Sequence, residues 1–245
     1  MTPRQTTRAV VAQTAAELTM TLRRGESVLV TIIIPVALMV FFASARLLPA
    51  AGRAISFLLP GTLALAVIST GLVSLGIATA YERYYGVLKR IGVTPLPRGG
   101  LIAAKLLAIL GLEILQIVLL VVIAVAGYGW RPHGSIALAV VALLLGSAAF
   151  AGLGLAMAGR LRAEATLAAA NGLFLFFLLL GGLYVPLDHV PGLLEPIARI
   201  LPAAALASVL RSALDGSTLS IGSLALLAAW AITMPLLAGF SFRWE

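Results

Sequence analysis

Residues 101–127 read LIAAKLLAILGLEILQIVLLVVIAVAG. Only Lys105 and Glu113 are charged in this run. It exceeds the roughly 20 residues that a helix needs to cross a bilayer, so it predicts a transmembrane helix. Five further apolar runs lie around it, at 27–44, 55–80, 135–159, 165–185 and 220–240. Thr70, Ser74 and Ala78 in the second span repeat every four residues, as do Ala148, Gly152 and Ala156 in the fourth. Small residues at that spacing let helices approach closely. Gly181-Gly182 falls toward the end of the fifth span.

The composition agrees. Of 245 residues, 61% are hydrophobic and 11% charged, and the mean hydropathy is +1.10. A soluble domain carries about 25% charged residues; this chain cannot cover a water-facing surface. Its net charge of +8 resides in the short loops between apolar runs. That pattern fits membrane orientation better than nucleic-acid binding. The chain has no cysteine, hence no disulfide framework or thiolate metal site. His133 and His189 both fall in loops and make a poor basis for a metal site. Neither Lys89 nor Lys105 precedes Ser or Thr, so there is no Gly-Lys-Ser/Thr phosphate loop.

Six spans put both termini on one side. The opposite side then holds Arg46, Arg53, Arg131, Arg199 and Arg211, and the other twelve of the seventeen basic residues share the side of the termini. The positive-inside rule makes that side cytoplasmic.

Between the second and third spans lies the polar stretch YERYYGVLKRIGVTPLPRGG, residues 81–100. Tyr84, Val87, Leu88 and Ile91 fall at helical spacing, with Arg83, Lys89 and Arg90 mostly opposite. The pattern predicts a short amphipathic helix, stopped by Thr94-Pro95 and Pro97. Such a helix suits docking onto a water-soluble partner; a solvated connecting loop is the plainer alternative.

Residues 1–26 place Val11, Ala15, Leu18 and Leu22 on one helical face and read as an amphipathic helix on the membrane surface. Arg23-Arg24 ahead of an apolar run, with Ala43-Ser44-Ala45 after it, also resembles a signal peptide. The long leading region and the length of the run favour a span. Residues 27–245 then form the transmembrane domain. Its outer segment, 186–219, carries an apolar stripe of Val190, Leu193, Leu194, Ile197 and Leu201, and an i,i+4 pair of Glu195 and Arg199. Pro202 opens a second short helix that runs to Leu214, with Gly216 just beyond. Two helices too short to cross are expected to dip into the outer leaflet as a re-entrant pair.

Within the spans, Glu113 lies near mid-bilayer and Gln116 one turn on, on the same face. A carboxylate there faces protein or water. It serves as a substrate contact or gate, or makes a helix–helix hydrogen bond. Asn171 in the fifth span fits interhelical hydrogen bonding, or a place on the same path. Asp188 and His189 fit a capped outer turn or a gate, and Arg160, Arg162 and Glu164 a cytoplasmic loop.

Two stretches resemble the permease subunit of the type-2 ABC exporters, the group that includes the daunorubicin-resistance exporters. The first is ERYYGVLKRIGVTPLPRGGLIAAKLL, residues 82–107. Its matching residues are Glu82-Arg83, Gly86, Leu88 with Lys89-Arg90, Thr94-Pro95 and the span-opening Lys105. Tyr84-Tyr85 depart from the small or polar residues usual there. The second is GGLYVPLDHVPGLLEPIARILP, residues 181–202, matching at Gly182, Pro186, Pro191 and Pro202. With six spans and a leading surface helix, the likeness covers nearly the whole chain.

The resemblance implies that residues 81–95 are a coupling helix seated in a separate ATPase subunit, through Glu82, Arg83, Gly86, Leu88, Lys89, Arg90, Thr94 and Pro95. It implies that 186–219 close the outer end of the pathway. It implies two permease halves, identical or homologous, and two ATPase subunits that bind the ATP and magnesium. The chain would then hold no cofactor and catalyse nothing itself. It would move a hydrophobic or amphiphilic cargo, such as a drug, lipid or natural product, out across a bacterial inner membrane. A secondary transporter or channel is the alternative, but such proteins usually carry several intramembrane charges. An intramembrane enzyme needs clustered Asp, His or Ser–Lys groups within spans, and none is present.

Overall fold

The computed structural model describes residues 3–23, 29–44, 51–87, 98–187, 192 and 194–241. These residues are mostly helical, with no strand among them. Helix α1 is Pro3–Arg23. A π-helical turn, Leu29–Ile33, leads into α2, Ile34–Ser44. Helix α3, Ala51–Ile68, passes through a second π segment, Ser69–Ser74, into α4, Leu75–Tyr84. Then follow α5, Arg98–Tyr128, α6, Ile136–Arg160, and α7, Ala163–Leu180. The short α8, Glu195–Ile200, and α9, Pro202–Asp215, precede α10, Ile221–Ser241.

Five helical stretches are long and apolar enough to cross a membrane: Ala54–Tyr84, Gly99–Tyr128, Ile136–Arg160, Ala163–Leu180 and Ile221–Phe240. The protein is an all-α, multi-pass membrane protein. The expected first span, 27–44, corresponds to the shorter apolar helix Thr31–Ser44, and residues 24–28 lie outside the described ones. The second span runs farther than its hydropathy suggested, because helix continues through Tyr81 to Tyr84. The fifth stops sooner, at Leu180. Gly182, at a φ of 63°, turns the chain, and 181–185 are not helical.

Close backbone contacts hold the bundle. A Cβ on Gly71 would sit 2.8 Å from Ala151 N, and one on Gly154 would sit 2.5 Å from Gly71 O. The second π segment is therefore pressed directly onto α6. On another side of α6, a Cβ on Gly152 would lie 2.5 Å from the nitrogen of Pro235 in α10. Proline has no N–H to offer there and glycine no side chain, so the two helices meet backbone to backbone.

Helix α9 is buried, packed on α3, α6 and α10. Leu206 and Leu210 are fully buried, and Pro202 opens the helix as expected. Gly216 ends it at a φ of 70°, where a Cβ is unfavourable. The orphan carbonyl of Leu214 in its last turn is bonded by the backbone N–H groups of His133 and Gly134, at 3.0 and 3.1 Å. The loop between α5 and α6 thus caps α9. Helix α1 packs along α5, where the Thr14 hydroxyl donates to Ala104 O at 3.4 Å.

Candidate functional site

One end of the bundle is built on Lys105. Near the start of an apolar helix, an ammonium needs a partner, and it has two. Its Nζ lies 2.6 Å from Glu82 Oε2 and 3.0 Å from Glu17 Oε1. All three side chains are almost wholly buried. Gln13 also donates to Glu17 Oε1, at 2.9 Å. One cation therefore ties α1, α4 and α5 together.

Glu82 consequently faces inward, away from any docking surface, in contrast to its expected place on one. Its neighbour Arg83 emerges from the same turn and donates to the carbonyl of Leu161, in the turn between α6 and α7. Tyr84 and Tyr85 are 63% and 64% exposed, their rings edge to face at 5.1 Å. Of the expected helix over 81–91, residues 81–84 form the last turn of α4 and Val87 is again helical, while 88–91 lie outside the described residues. The chain then breaks at Tyr85–Gly86, where Gly86 takes a φ of 69°. Leu88, Lys89, Arg90, Thr94 and Pro95 lie outside the described residues. An open cavity of about 220 Å³ lies beside Arg83 and Tyr84, lined also by Ala80, Arg162, Ala163 and Glu164. Arginine guanidiniums with exposed tyrosine make a surface that favours acidic partners.

Deep in the bundle, Glu113 is 2% exposed and accepts a hydrogen bond from Ser147 of α6 through Oε2. Its Oε1 has no hydrogen-bond partner among the described residues. Gln116, placed on the same face by spacing, goes elsewhere. It accepts from Thr70 at 2.8 Å and donates to Thr31 O. Asn171 is half-buried and donates to Leu167 O of its own helix, at 3.0 Å, rather than across to another. Spacing could not reveal Ser147, Thr70 or Glu17. The usable signal was that a lone polar group inside a span requires a partner.

At the other end of the bundle, Arg211 of α9 donates to the carbonyls of Gly182 and Leu183 and lies 3.9 Å over the Phe57 ring. Burial lowers its pKa to about 10, opposed by the carboxylate of Asp215, so it stays charged at neutral pH. Tyr184 lies 3.1 Å from the Thr62 hydroxyl and stacks on Phe42 at 5.0 Å. Residues 182–184, which include Gly182 of the second resemblance, are therefore where α9, α3 and α2 converge. Asp188 and Pro191 lie outside the described residues.

Residues 8–214 match the family described as "ABC-2 type transporter". The chain belongs to the ABC-2 type transporter family. Among curated proteins, this ABC-2 chain is 24% identical over 200 residues to "Putative transport permease YvfS" of Bacillus subtilis (strain 168). That match covers 78% of this chain and 79% of the relative. It is 29% identical over 160 residues to "Probable multidrug ABC transporter permease YbhS" of Escherichia coli (strain K12), covering 64% of this chain and 42% of that one. The match to YbhS thus spans less than half of the latter's length. The ABC-2 assignment makes the chain a membrane subunit of an ABC transporter, and ABC ATPases are the partners the family implies.

Proposed function

We propose that this ABC-2 subunit is one permease half of an ATP-driven exporter. It works with a second half, identical or homologous, and two ATPase subunits in a bacterial inner membrane, with both termini cytoplasmic. The ATPases bind the ATP and magnesium. Residues 82–95 deliver their movement to the bundle, with Arg83, Lys89 and Arg90 meeting the ATPase and Thr94-Pro95 ending the element. Cargo leaves outward or into the outer leaflet, and the re-entrant α8 and α9 close that end. The cargo is hydrophobic or amphiphilic, such as a drug, lipid or natural product, in keeping with the multidrug name of YbhS.

The observation that carries this reading is the end of α4. Tyr84 and the adjoining Tyr85 are exposed there, with Arg83 half-buried beside them, while Glu82 anchors the same turn to Lys105. An element that must transmit force needs a docking face and a rigid root, and this turn has both.

Reversing charge at both Arg83 and Arg90 removes two cations of the stretch and, among the described residues, the exposed hydrogen bond from Arg83 to Leu161 O. The double variant is expected to fold normally and to retain about tenfold less ATPase on co-purification, since charged docking pairs are steered electrostatically. Unchanged co-purification and transport would reject the docking assignment.

Glu113, with Gln116 and Asn171, belongs in this reading to the internal path or gate. Glu113→Gln keeps an acceptor for Ser147 and is expected to fold, yet to slow transport roughly fivefold, a coupling loss of about 1 kcal/mol. Normal transport in that variant would leave Glu113 as a helix–helix hydrogen bond.

A further inference from the structure

The first apolar helix carries a fault written by its own sequence. In an α-helix the carbonyl of Thr31 is bonded by the N–H of residue 35. Residue 35 is proline, which has none. Within apolar surroundings an unbonded carbonyl is costly, and here a side chain from another helix supplies the donor. Gln116 Nε2 of α5 donates to Thr31 O.

The other end of the same amide is also engaged. Gln116 Oε1 accepts from the Thr70 hydroxyl at 2.8 Å. Thr31 lies in the π turn Leu29–Ile33 and Thr70 in the π segment Ser69–Ser74. These are the two π-helical segments among the described residues, and one amide joins them. Gln116, Thr31 and Thr70 are each 2% exposed or less. Single π turns disturb the ordinary hydrogen-bond ladder and recur where helices have functional irregularity. The two segments are not equally free. The second is wedged against α6 through Gly71 and Ala151, whereas Pro35 leaves the first without its α-helical bond.

We propose that Pro35 and Gln116 form the hinge of this permease half. The first helix pivots at Thr31–Pro35 when ATPase-driven movement reaches the bundle. Gln116 keeps the freed carbonyl bonded as the helix swings. Gln116 is then a positioning residue that touches no cargo. The proposal deepens the gate role suggested above and rests on the transport reading.

The test is a cycle of Pro35→Ala, Gln116→Leu and the double variant, in the assembled complex. Pro35→Ala restores an N–H for Thr31 O. It is expected to raise the melting temperature by about 3 °C and to slow transport about tenfold. Gln116→Leu removes the amide donor to Thr31 O and is expected to lower the melting temperature by a similar amount. In the Pro35→Ala background that loss is expected to fall by about half or more, because the two residues serve one acceptor. A pair with only a structural role would leave the stabilised Pro35→Ala variant transporting normally, and that result overturns the hinge. So does a Gln116→Leu loss that is the same with and without the proline. A wild-type complex that hydrolyses ATP but moves no cargo would count against the transport reading instead, while the melting cycle still decides whether Gln116 caps the proline fault.

Discussion

Lys105→Met is expected to be among the most damaging substitutions in the chain, at about 3–5 kcal/mol. It removes the cation shared by Glu17 and Glu82 and leaves two almost wholly buried carboxylates facing each other. Burying a charge is tolerable only when it is paired. For a chain of this size, that loss corresponds to a fall of roughly 10 °C in melting temperature. The cost belongs to the stranded charges and not to the packing. The neutral triple variant Glu17→Gln, Lys105→Met, Glu82→Gln is therefore expected to recover most of it, as replaced buried ion clusters often do. Thermal melting of the purified protein reads both arms. A single variant that melts with the wild type, or a triple variant as unstable as the single one, would show that the three groups do not act as one buried cluster.

Gly61→Ala is expected to have the next largest effect. A Cβ at Gly61 would stand 1.9 Å from the carbonyl oxygen of Leu183, far inside the van der Waals contact of about 3.5 Å. The obstacle is backbone, so no side-chain rotation relieves it. Either α3 or 181–184 must move, and Leu183 O is one of the two carbonyls that Arg211 holds. The shift would also strain the contact between Thr62 and Tyr184. The expected loss is about 3 kcal/mol, at the upper end for overpacking. Gly127→Ala is the control. A Cβ there would have nothing within 4 Å of it, and alanine is the better helix former by about 1 kcal/mol. A Gly61 variant as stable as the Gly127 one would mean that the outer segment does not bear on α3.

Hydropathy made the long helices legible, because lipid demands uninterrupted apolar helix and leaves few other solutions. Pro202 and Gly216 marked the ends of α9 for equally local reasons, a fixed φ and a left-handed turn. What escaped the sequence was pairing across distance. Glu17 and Lys105 are 88 residues apart, and no periodicity connects them. Glu82 looked like part of a charged docking face because the stretch around it is charged; only its buried partner turns it inward. Glu113 and Gln116 share a helix face by spacing, yet they serve different neighbours, Ser147 on α6 and the two π segments. The family motif pointed to Gly86 and Gly182, and both take positive φ. Their left-handed backbone, not a side chain, explains why glycine suits those positions.

The glycine contacts of α6 divide the bundle into mechanical parts. Main chain that rests on main chain has no side-chain layer to shear, so the helices on either side of α6 cannot slide past it. Gly71 and Gly154 lock α6 to the second π segment, and Gly152 locks it to α10 at Pro235. Those three helices make a stiff plank. In the proposed exporter, a pull at Arg83 would arrive at the far end of the plank as displacement of the whole, with little dissipated in bending along the way.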